Sequence, residues 1–238
     1  MKRSLKSFSL FSLGATDGEI GKVKELYLDD ESWQIRYWVV DTGDWLPKRK
    51  VLISVQSLLV PDWENGVFET SLSLDQIKNS PDIDTDKPVS RQQEVELNEH
   101  FSWQNYWFLP LTDAVRAALP SDAESNGEPG NPHLRSSDAL TGYQIQASDG
   151  PIGQLVDFII ETDGWSITDF VVDMGTWLSS KKVLLPVRTV IEINWSSKDV
   201  SLALQVQEVK QAHPYDPGSA INNLGDGNFL DFYGRLIS

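Results

Sequence analysis

Two loops of the chain carry an aspartate after a pair of valines and two residues before a glycine. Residues 39–45 read VVDTGDW, and residues 171–177 read VVDMGTW. A pair of such aspartates could share one proton and activate a water molecule, which is the chemistry of an aspartic protease. The alternative is a β-turn, because Asp favours the start of a turn and Gly accepts a positive φ.

Comparison of the two loops favours the turn. Methionine replaces threonine in the second loop, and both loops continue into a bulky residue, Trp45 or Trp177. What the loops share is a strand, a turn that contains Asp41 or Asp173, and a returning strand. We therefore predict that these aspartates are turn residues, that the chain has no catalytic residues, and that the protein is not an enzyme.

The two loops belong to a much longer internal repeat. Adding 132 to a residue number in the first half gives its counterpart in the second half. Asp17-Gly18 corresponds in this way to Asp149-Gly150, and Trp33 corresponds to Trp165. From Ala15 to Leu74 nearly a third of the aligned positions are identical, without a gap.

The repeat predicts two domains joined by a linker. The first copy occupies residues 1–112 and the second occupies 136–238, each with an aromatic-rich or acidic tail. Residues 121–135 read SDAESNGEPGNPHLR, and this content of Gly, Pro and acidic residues is typical of a linker. Apolar residues at helical spacing behind Thr112 predict a short helix just before it.

Each copy reads as a series of short strands rich in β-branched and aromatic residues. The predicted strands are 7–14, 20–28, 34–41, 50–56 and 66–74, and in the second copy 140–147, 152–160, 166–173, 182–188 and 198–206. Strands this short and numerous predict a closed sheet without exposed edges. The predicted fold class is mostly β: two small antiparallel β-barrels in tandem with short helical or irregular tails.

Composition excludes several functions. The net charge of −15 disfavours direct binding of nucleic acid and of anionic lipid. The absence of cysteine excludes disulfides and thiolate chemistry, and His100, His133 and His213 share no metal-ligand spacing. No apolar run reaches the roughly 20 residues that span a bilayer. We expect no cofactor, no metal and a cytoplasmic location.

The ordered motifs of each copy resemble the PRC-barrel domains. In the first copy these motifs are Asp17 to Val23, an acidic turn at Asp29 to Glu31, Val39 to Gly43, and Lys50 to Val55. The same set recurs in the second copy. The family includes the cytoplasmic domain of the photosynthetic reaction-centre H subunit and the C-terminal domain of RimM. The resemblance implies a six-stranded barrel that docks on other proteins.

Eight residues are candidates for a partner or ligand surface. They are the turn and strand residues shared by the copies: Trp45, Trp177, Lys50, Lys182, Asp41, Asp173, Trp38 and Phe170. The two tryptophans after the turns could anchor a partner, since Trp is enriched in binding hot spots, or could cap a barrel mouth. The lysines could bind an anion, or could offset the turn aspartates across a hairpin.

These features predict a soluble, non-enzymatic docking or assembly module whose partner is another protein or complex. The alternative is a small-ligand or anion-binding protein that uses the turn and the lysine of each copy. The central strands are apolar on both faces, so the copies are expected to form an intramolecular pseudo-dimer or a homodimer. Aromatic residues after the first copy, such as Phe101 and Trp103, either cover their own copy or pack elsewhere.

Overall fold

The fold is described by a computed structural model that covers residues 1–9, 11–46, 49–63, 65–81, 91–103, 134–175, 181–212 and 214–216. Its contacts divide the chain into two compact units. The second-repeat unit comprises Met1–Ser9, Ser32–Ile35 and Ser137–Ser238, and the first-repeat unit comprises Leu10–Glu31 and Arg36–Ser136. The helix predicted behind Thr112 and most of the predicted linker lie outside the described residues.

The elements of the first half are mostly short strands. The strands are β1 (Lys2–Ser4), β2 (Ser12–Ala15), β3 (Gly18–Asp29), β4 (Ile35–Asp41), β5 (Lys50–Ser54) and β6 (Val67–Glu69). The helices are α1 (Leu5–Phe8), α2 (Leu74–Lys78) and α3 (Arg91–Phe101). The strand predicted at 7–14 thus begins later, because a helical turn that buries Phe8 precedes it.

The second half repeats this order. Its strands are β7 (Leu134–Ser136), β8 (Gln144–Ala147), β9 (Gly150–Glu161), β10 (Ser166–Asp173), β11 (Lys182–Pro186), β12 (Val190–Asn194) and β13 (Asp199–Leu202). Its helices are α4 (Ser137–Leu140) and α5 (Val206–Gln211). Strand β12 was not predicted, because Glu192 and Asn194 interrupt its apolar pattern.

The chain is mostly β, as predicted, and forms two sheets. The six-stranded sheet has the order β5-β4-β3-β2-β6, with β7 on β3, and the seven-stranded sheet has the order β11-β10-β9-β8-β13-β12, with β1 on β9. Within the described residues neither sheet closes into a barrel. The prediction of purely antiparallel pairing is wrong: β2 pairs with β6, and β8 with β13, in parallel. These partners are far apart in sequence, so no tight turn forces them to be antiparallel.

The first strand of each repeat adds to the other repeat's long strand. Strand β1 pairs antiparallel with β9, so that Lys2 lies opposite Glu161. Strand β7 pairs antiparallel with β3, so that Leu134 lies opposite Asp29. The offset of 132 converts one pair into the other. The repeats therefore exchange their first strands, and the compact units do not coincide with the repeats.

The segments that follow β3 and β9 also pair with each other, across the two repeats. The backbone amide of Ile35 donates to the carbonyl of Trp165 over 2.8 Å, and the amide of Ile167 donates to the carbonyl of Trp33 over 2.8 Å. Both tryptophans have a positive φ, 59° at Trp33 and 50° at Trp165. This conformation is uncommon for a bulky residue. Because it occurs at equivalent positions, the two copies share this backbone conformation.

The central strands lie in the cores of the two units. Both faces of β4 and of β10 are buried, as their apolar sequences predicted. In the second-repeat unit, Ile159, Val171 and Leu184 pack with Tyr215, which comes from the tail. A backbone hydrogen bond of 2.7 Å from the Tyr215 amide to the Lys182 carbonyl fixes that tail segment along β11.

A glycine of each repeat permits close contact between two strands. A Cβ atom at Gly21 would lie 2.0 Å from the carbonyl oxygen of Asp41, and one at Gly153 would lie 2.1 Å from that of Asp173. Both distances are too short for any side chain. The glycine that ends the D-G-x-I-G motif is therefore required where β3 passes β4 and where β9 passes β10.

Alanine at Gly153 should destabilise the protein strongly. The new Cβ would meet a backbone carbonyl that cannot move without breaking the sheet, so we expect a loss of about 3 kcal/mol in the free energy of unfolding. Gly164 is the matched control, because a Cβ there has no neighbour within 4 Å. Urea denaturation of Gly153→Ala and Gly164→Ala measures the difference. Equal stability of the two variants would contradict the close contact.

Candidate functional site

The D-x-G motifs form Asx turns. An Oδ1 oxygen of Asp41 accepts the amide of Gly43 over 3.0 Å, and Oδ1 of Asp173 accepts the amide of Gly175 over 2.8 Å. The predicted turn is thus confirmed in the first copy, where Gly43 has a positive φ of 60°. The second copy repeats the hydrogen bond from glycine to aspartate, and the rest of its loop, residues 176–180, lies outside the described residues. Thr42 has a structural role in the first turn, because its hydroxyl donates to the carbonyls of Leu46 and Arg49.

The aspartate of each D-G pair holds a helix that lies far along the chain. The amide of Leu74, at the start of α2, donates to Oδ1 of Asp17 over 2.8 Å. The amide of Val206, at the start of α5, donates to Oδ1 of Asp149 over 2.7 Å. The first amides of a helix have no partner within the helix, so each aspartate satisfies one of them. Sequence analysis missed this role, although the two pairs share the same spacing.

The basic cluster before each returning strand stabilises the other end of the same helix. The guanidinium of Arg49 donates to the carbonyls of Lys78, Ser80 and Pro81. Its counterpart Lys181 donates from Nζ to the carbonyl of Lys210 over 2.9 Å. Cations favour the C-terminal end of a helix, where carbonyls lack partners. These two basic residues are therefore used within the fold.

The lysines and the turn aspartates are neighbours in the sheets, but Lys50 approaches a carboxylate other than the predicted Asp41. Lys50 lies opposite Asp41, and Lys182 lies opposite Asp173. The Nζ atom of Lys50 nevertheless approaches the buried carboxylate of Glu25, at 3.4 Å. Electrostatic attraction is stronger toward a carboxylate that is shielded from water, which favours this partner.

A cleft of about 360 Å³ lies beside the first turn. Its lining consists of β3 and the turn: Glu19, Ile20, Gly21, Lys22, Lys24, Asp41, Thr42, Gly43 and Trp45. The indole Nε1 of Trp45 donates to the carbonyl of Ile20 over 2.6 Å, while the ring keeps 37% of its surface exposed. Lys24 forms an ion pair of 3.6 Å with Asp41. The cleft thus combines an aromatic ring with charges of both signs.

Two of the candidate surface residues lie in the core. Trp38 and Phe170 are both 0% exposed. Trp38 packs against Phe68, with ring centroids 5.1 Å apart, and Phe170 packs against Trp33 at 5.2 Å. The second apolar face of each central strand is therefore covered inside its own unit, and these residues offer no docking surface. Trp177 lies outside the described residues.

The described part of the first tail covers its own repeat. Trp103 stacks on Phe101 with centroids 4.4 Å apart and lies 6.3 Å from the ring of Tyr37 in β4. The hydroxyl of Tyr37 donates to the carboxylate of Glu94 in α3 over 3.0 Å, and Glu94 is 0% exposed. For these residues, the interpretation that the tail folds back over its own copy is confirmed.

Exposed apolar side chains recur at one position of the repeat, which sequence analysis missed. Leu59 is 52% exposed, and Ile191, its counterpart by the offset of 132, is 67% exposed. Val60 beside Leu59 is 88% exposed. Ile191 lies in β12, at the end of its sheet's strand order. Alignment of the two copies shows that both positions are apolar, but only their exposure in the structure distinguishes them from core residues.

Each exchanged strand donates a hydrogen bond from a serine to a buried carboxylate. The hydroxyl of Ser4 donates to Oδ2 of Asp157, whose Oδ1 accepts the amides of Lys6 and Phe158. The hydroxyl of Ser136, the counterpart of Ser4, donates to Oε2 of Glu25. Asp157 and Glu25 are 6% and 5% exposed.

Burial raises the pKa of Asp157 above its usual value of 3.8, and the hydrogen bonds from Ser4, Phe158 and Lys6 oppose this rise.

No group of three or more metal-ligating side chains is placed to hold an ion within the residues that the structure describes. His100 is used in the fold, where its Nε2 lies 2.8 Å from the carbonyl of Gln76. Among the described helices, none is both long and apolar enough to cross a membrane.

The raised pKa of Asp157 predicts a pH dependence of stability. The folded protein retains this proton at pH values where the unfolded chain has lost it, so stability falls as pH rises from 3.8 through the folded-state pKa. Asp157→Asn removes this dependence. The free energy of unfolding of Asp157→Asn minus that of wild type should therefore increase from pH 4 to pH 7. Urea titrations across that range test this, with the exposed Glu192→Gln as control. A constant difference between Asp157→Asn and wild type would contradict the assignment.

No protein-family profile matches the chain. A stretch of 79 residues is 33% identical to an uncharacterised protein of Deinococcus radiodurans. The match covers 33% of this chain and 28% of that protein, so the chain spans little more than a quarter of its relative's length.

Proposed function

We propose that the chain is a tandem PRC-barrel-type protein that docks another protein and catalyses no reaction. Support for the docking role comes from Leu59 and Ile191, two exposed apolar side chains at the same position of the repeat. Coverage of a large exposed apolar side chain by a partner is favourable, because it removes apolar surface from water. Repetition of the feature in two diverged copies favours a shared role in contact with a partner.

The surroundings of these residues suit a protein partner. Leu59 continues into Val60 and Pro61, and its amide donates to the carbonyl of Glu69 over 2.8 Å, so the backbone that presents it is held in place. Ile191 belongs to the terminal strand β12, where a partner's strand could add to the sheet. A rigid apolar anchor at a sheet edge is a common arrangement in protein recognition.

Charge substitution at the two positions should abolish docking without unfolding the chain. We expect Leu59→Lys with Ile191→Lys to lower the capture of the partner from cells that carry the gene by about 10-fold or more, because each lysine must be desolvated at the interface. Ser71→Lys with Ser196→Lys is the control, since it adds the same charge at exposed polar sites. Quantitative mass spectrometry of captured proteins gives the comparison.

A set of proteins captured by wild type and the serine control, but lost from the leucine–isoleucine variant, supports the proposal. Identical sets for all three proteins would contradict the role of these side chains. Circular dichroism of each variant shows whether the fold is retained before capture is compared.

The cleft beside Trp45 favours a second candidate function, the binding of a small ligand. Lys50 and Lys182 were the sequence-based choice for such a site, but the cleft instead presents Lys22 and Lys24 beside the aromatic ring. A planar anion could stack on the indole and pair with a lysine.

Thermal shift with a panel of aromatic carboxylates tests this second candidate. We expect a ligand that raises the melting temperature of wild type to lose that effect in Lys24→Ala with Trp45→Ala. The exposed Lys78→Ala should retain it. The absence of any shift across the panel would count against the ligand site and would leave the docking proposal unaffected.

A further inference from the structure

The exchanged strands β1 and β7 dock in the same way, and their contacts resemble those between a peptide and its receptor. Each is three residues long and adds antiparallel to the edge of a twelve-residue strand, β9 or β3. Each carries the dipeptide Arg-Ser, at Arg3-Ser4 and Arg135-Ser136. Backbone pairing of this type provides affinity, and the side chains provide selectivity.

The serine of each segment is recognised by a buried acid. Ser4 donates to Asp157, and Ser136 donates to Glu25. A hydrogen bond to a carboxylate that is shielded from water is stronger than one at the surface, and its loss removes one of the few partners of a buried acid. Both acids therefore favour an occupied strand position over an empty one.

Opposite charges on the Arg-Ser segments and on nearby acids also favour this binding. The start of the chain carries Lys2, Arg3 and Lys6 on a protein with a net charge of −15. Lys2 lies 3.8 Å from Asp169. In the other unit Arg135 lies 3.3 Å from Asp30. In both units a basic residue of the segment thus pairs with an acid beside the receiving strand.

An apolar residue completes the first docking contact. Phe8, four residues after Ser4, is 0% exposed and lies 6.4 Å from the ring of Trp165. The same unit thus holds the segment by a strand, a buried acid, an ion pair and an aromatic anchor. Burial of this phenylalanine removes a large apolar surface from water and so favours the docked segment. Together these contacts describe a specific binding site for the start of the repeat.

We propose that the edges of β9 and β3, with Asp157 and Glu25, are binding sites for the Arg-Ser segment of another copy of this repeat. In the present chain the tandem copy provides that segment to each site. The two halves of the chain therefore remain associated by reciprocal docking when the linker is cut. A second chain can take the place of the tandem copy when the halves are separate.

The test uses the whole chain with a protease sequence inserted within residues 121–132, cut after folding. We expect the cut protein to remain one particle of 26.7 kDa, apart from the inserted residues, in light scattering at about 1 µM. Separation into two smaller particles at this concentration would overturn the proposal.

A second arm shows whether the Arg-Ser segments are responsible. Ser4→Asp with Ser136→Asp places a carboxylate against Asp157 and Glu25, and we expect the cut halves to bind at least about 10-fold more weakly. The control is Ser71→Asp with Ser196→Asp, which adds the same charge at exposed serines. Equal affinity of the two cut proteins would overturn the proposal.

Folding of the variants is checked before cutting, by circular dichroism of the intact chains. Where Ser4→Asp with Ser136→Asp fails to fold, Ser4→Ala with Ser136→Ala takes its place, because it removes the hydrogen bonds without adding charge. Its cut halves should also bind more weakly than those of the Ser71→Asp, Ser196→Asp control. Unchanged affinity of the alanine variant would again overturn the proposal. None of these outcomes depends on the Leu59 and Ile191 surface.

Discussion

The hydrogen bond from a serine to a buried carboxylate, formed once in each unit, is the interaction on which the arrangement of the chain depends. It joins Ser4 to Asp157 and Ser136 to Glu25, and it lies where the first strand of one repeat meets the long strand of the other. A carboxylate buried to this extent is costly unless it is hydrogen-bonded. The exchange of strands provides that partner, so the composition of the two units follows from where these acids lie.

Other contacts that occur in both copies explain why their residues are repeated. The aspartate of each D-G pair holds the start of a helix, Arg49 or Lys181 binds the carbonyls at its end, and a glycine permits the crossing of two strands. The turn aspartates, which first suggested a protease, accept hydrogen bonds from their own turns. These repeated residues are therefore used in folding. The docking role that we propose therefore rests on the exposed Leu59 and Ile191, and not on the motifs.

Much of the fold could be predicted from the sequence, because local pattern determines it. The central strands, the buried nature of both their faces and the turns at Asp41 and Asp173 follow from apolar runs and turn residues. The parallel pairing of β2 with β6 and the exchange of β1 could not, since both join segments that are distant in sequence. The choice of Trp38 and Phe170 as surface candidates was wrong, because an apolar face does not reveal whether its own unit or a partner covers it.

The central claim is that the first strand of each repeat pairs with the other repeat, and the absence of cysteine makes it directly testable. Without exchange, Lys2 would lie opposite Asp29, the counterpart of its observed neighbour Glu161. Cysteines placed at 2 and 161 should form an intrachain disulfide under mild oxidation, and cysteines placed at 2 and 29 should not. Mass spectrometry of peptide digests identifies the linked pair. A disulfide between positions 2 and 29, with none between 2 and 161, would contradict the exchange.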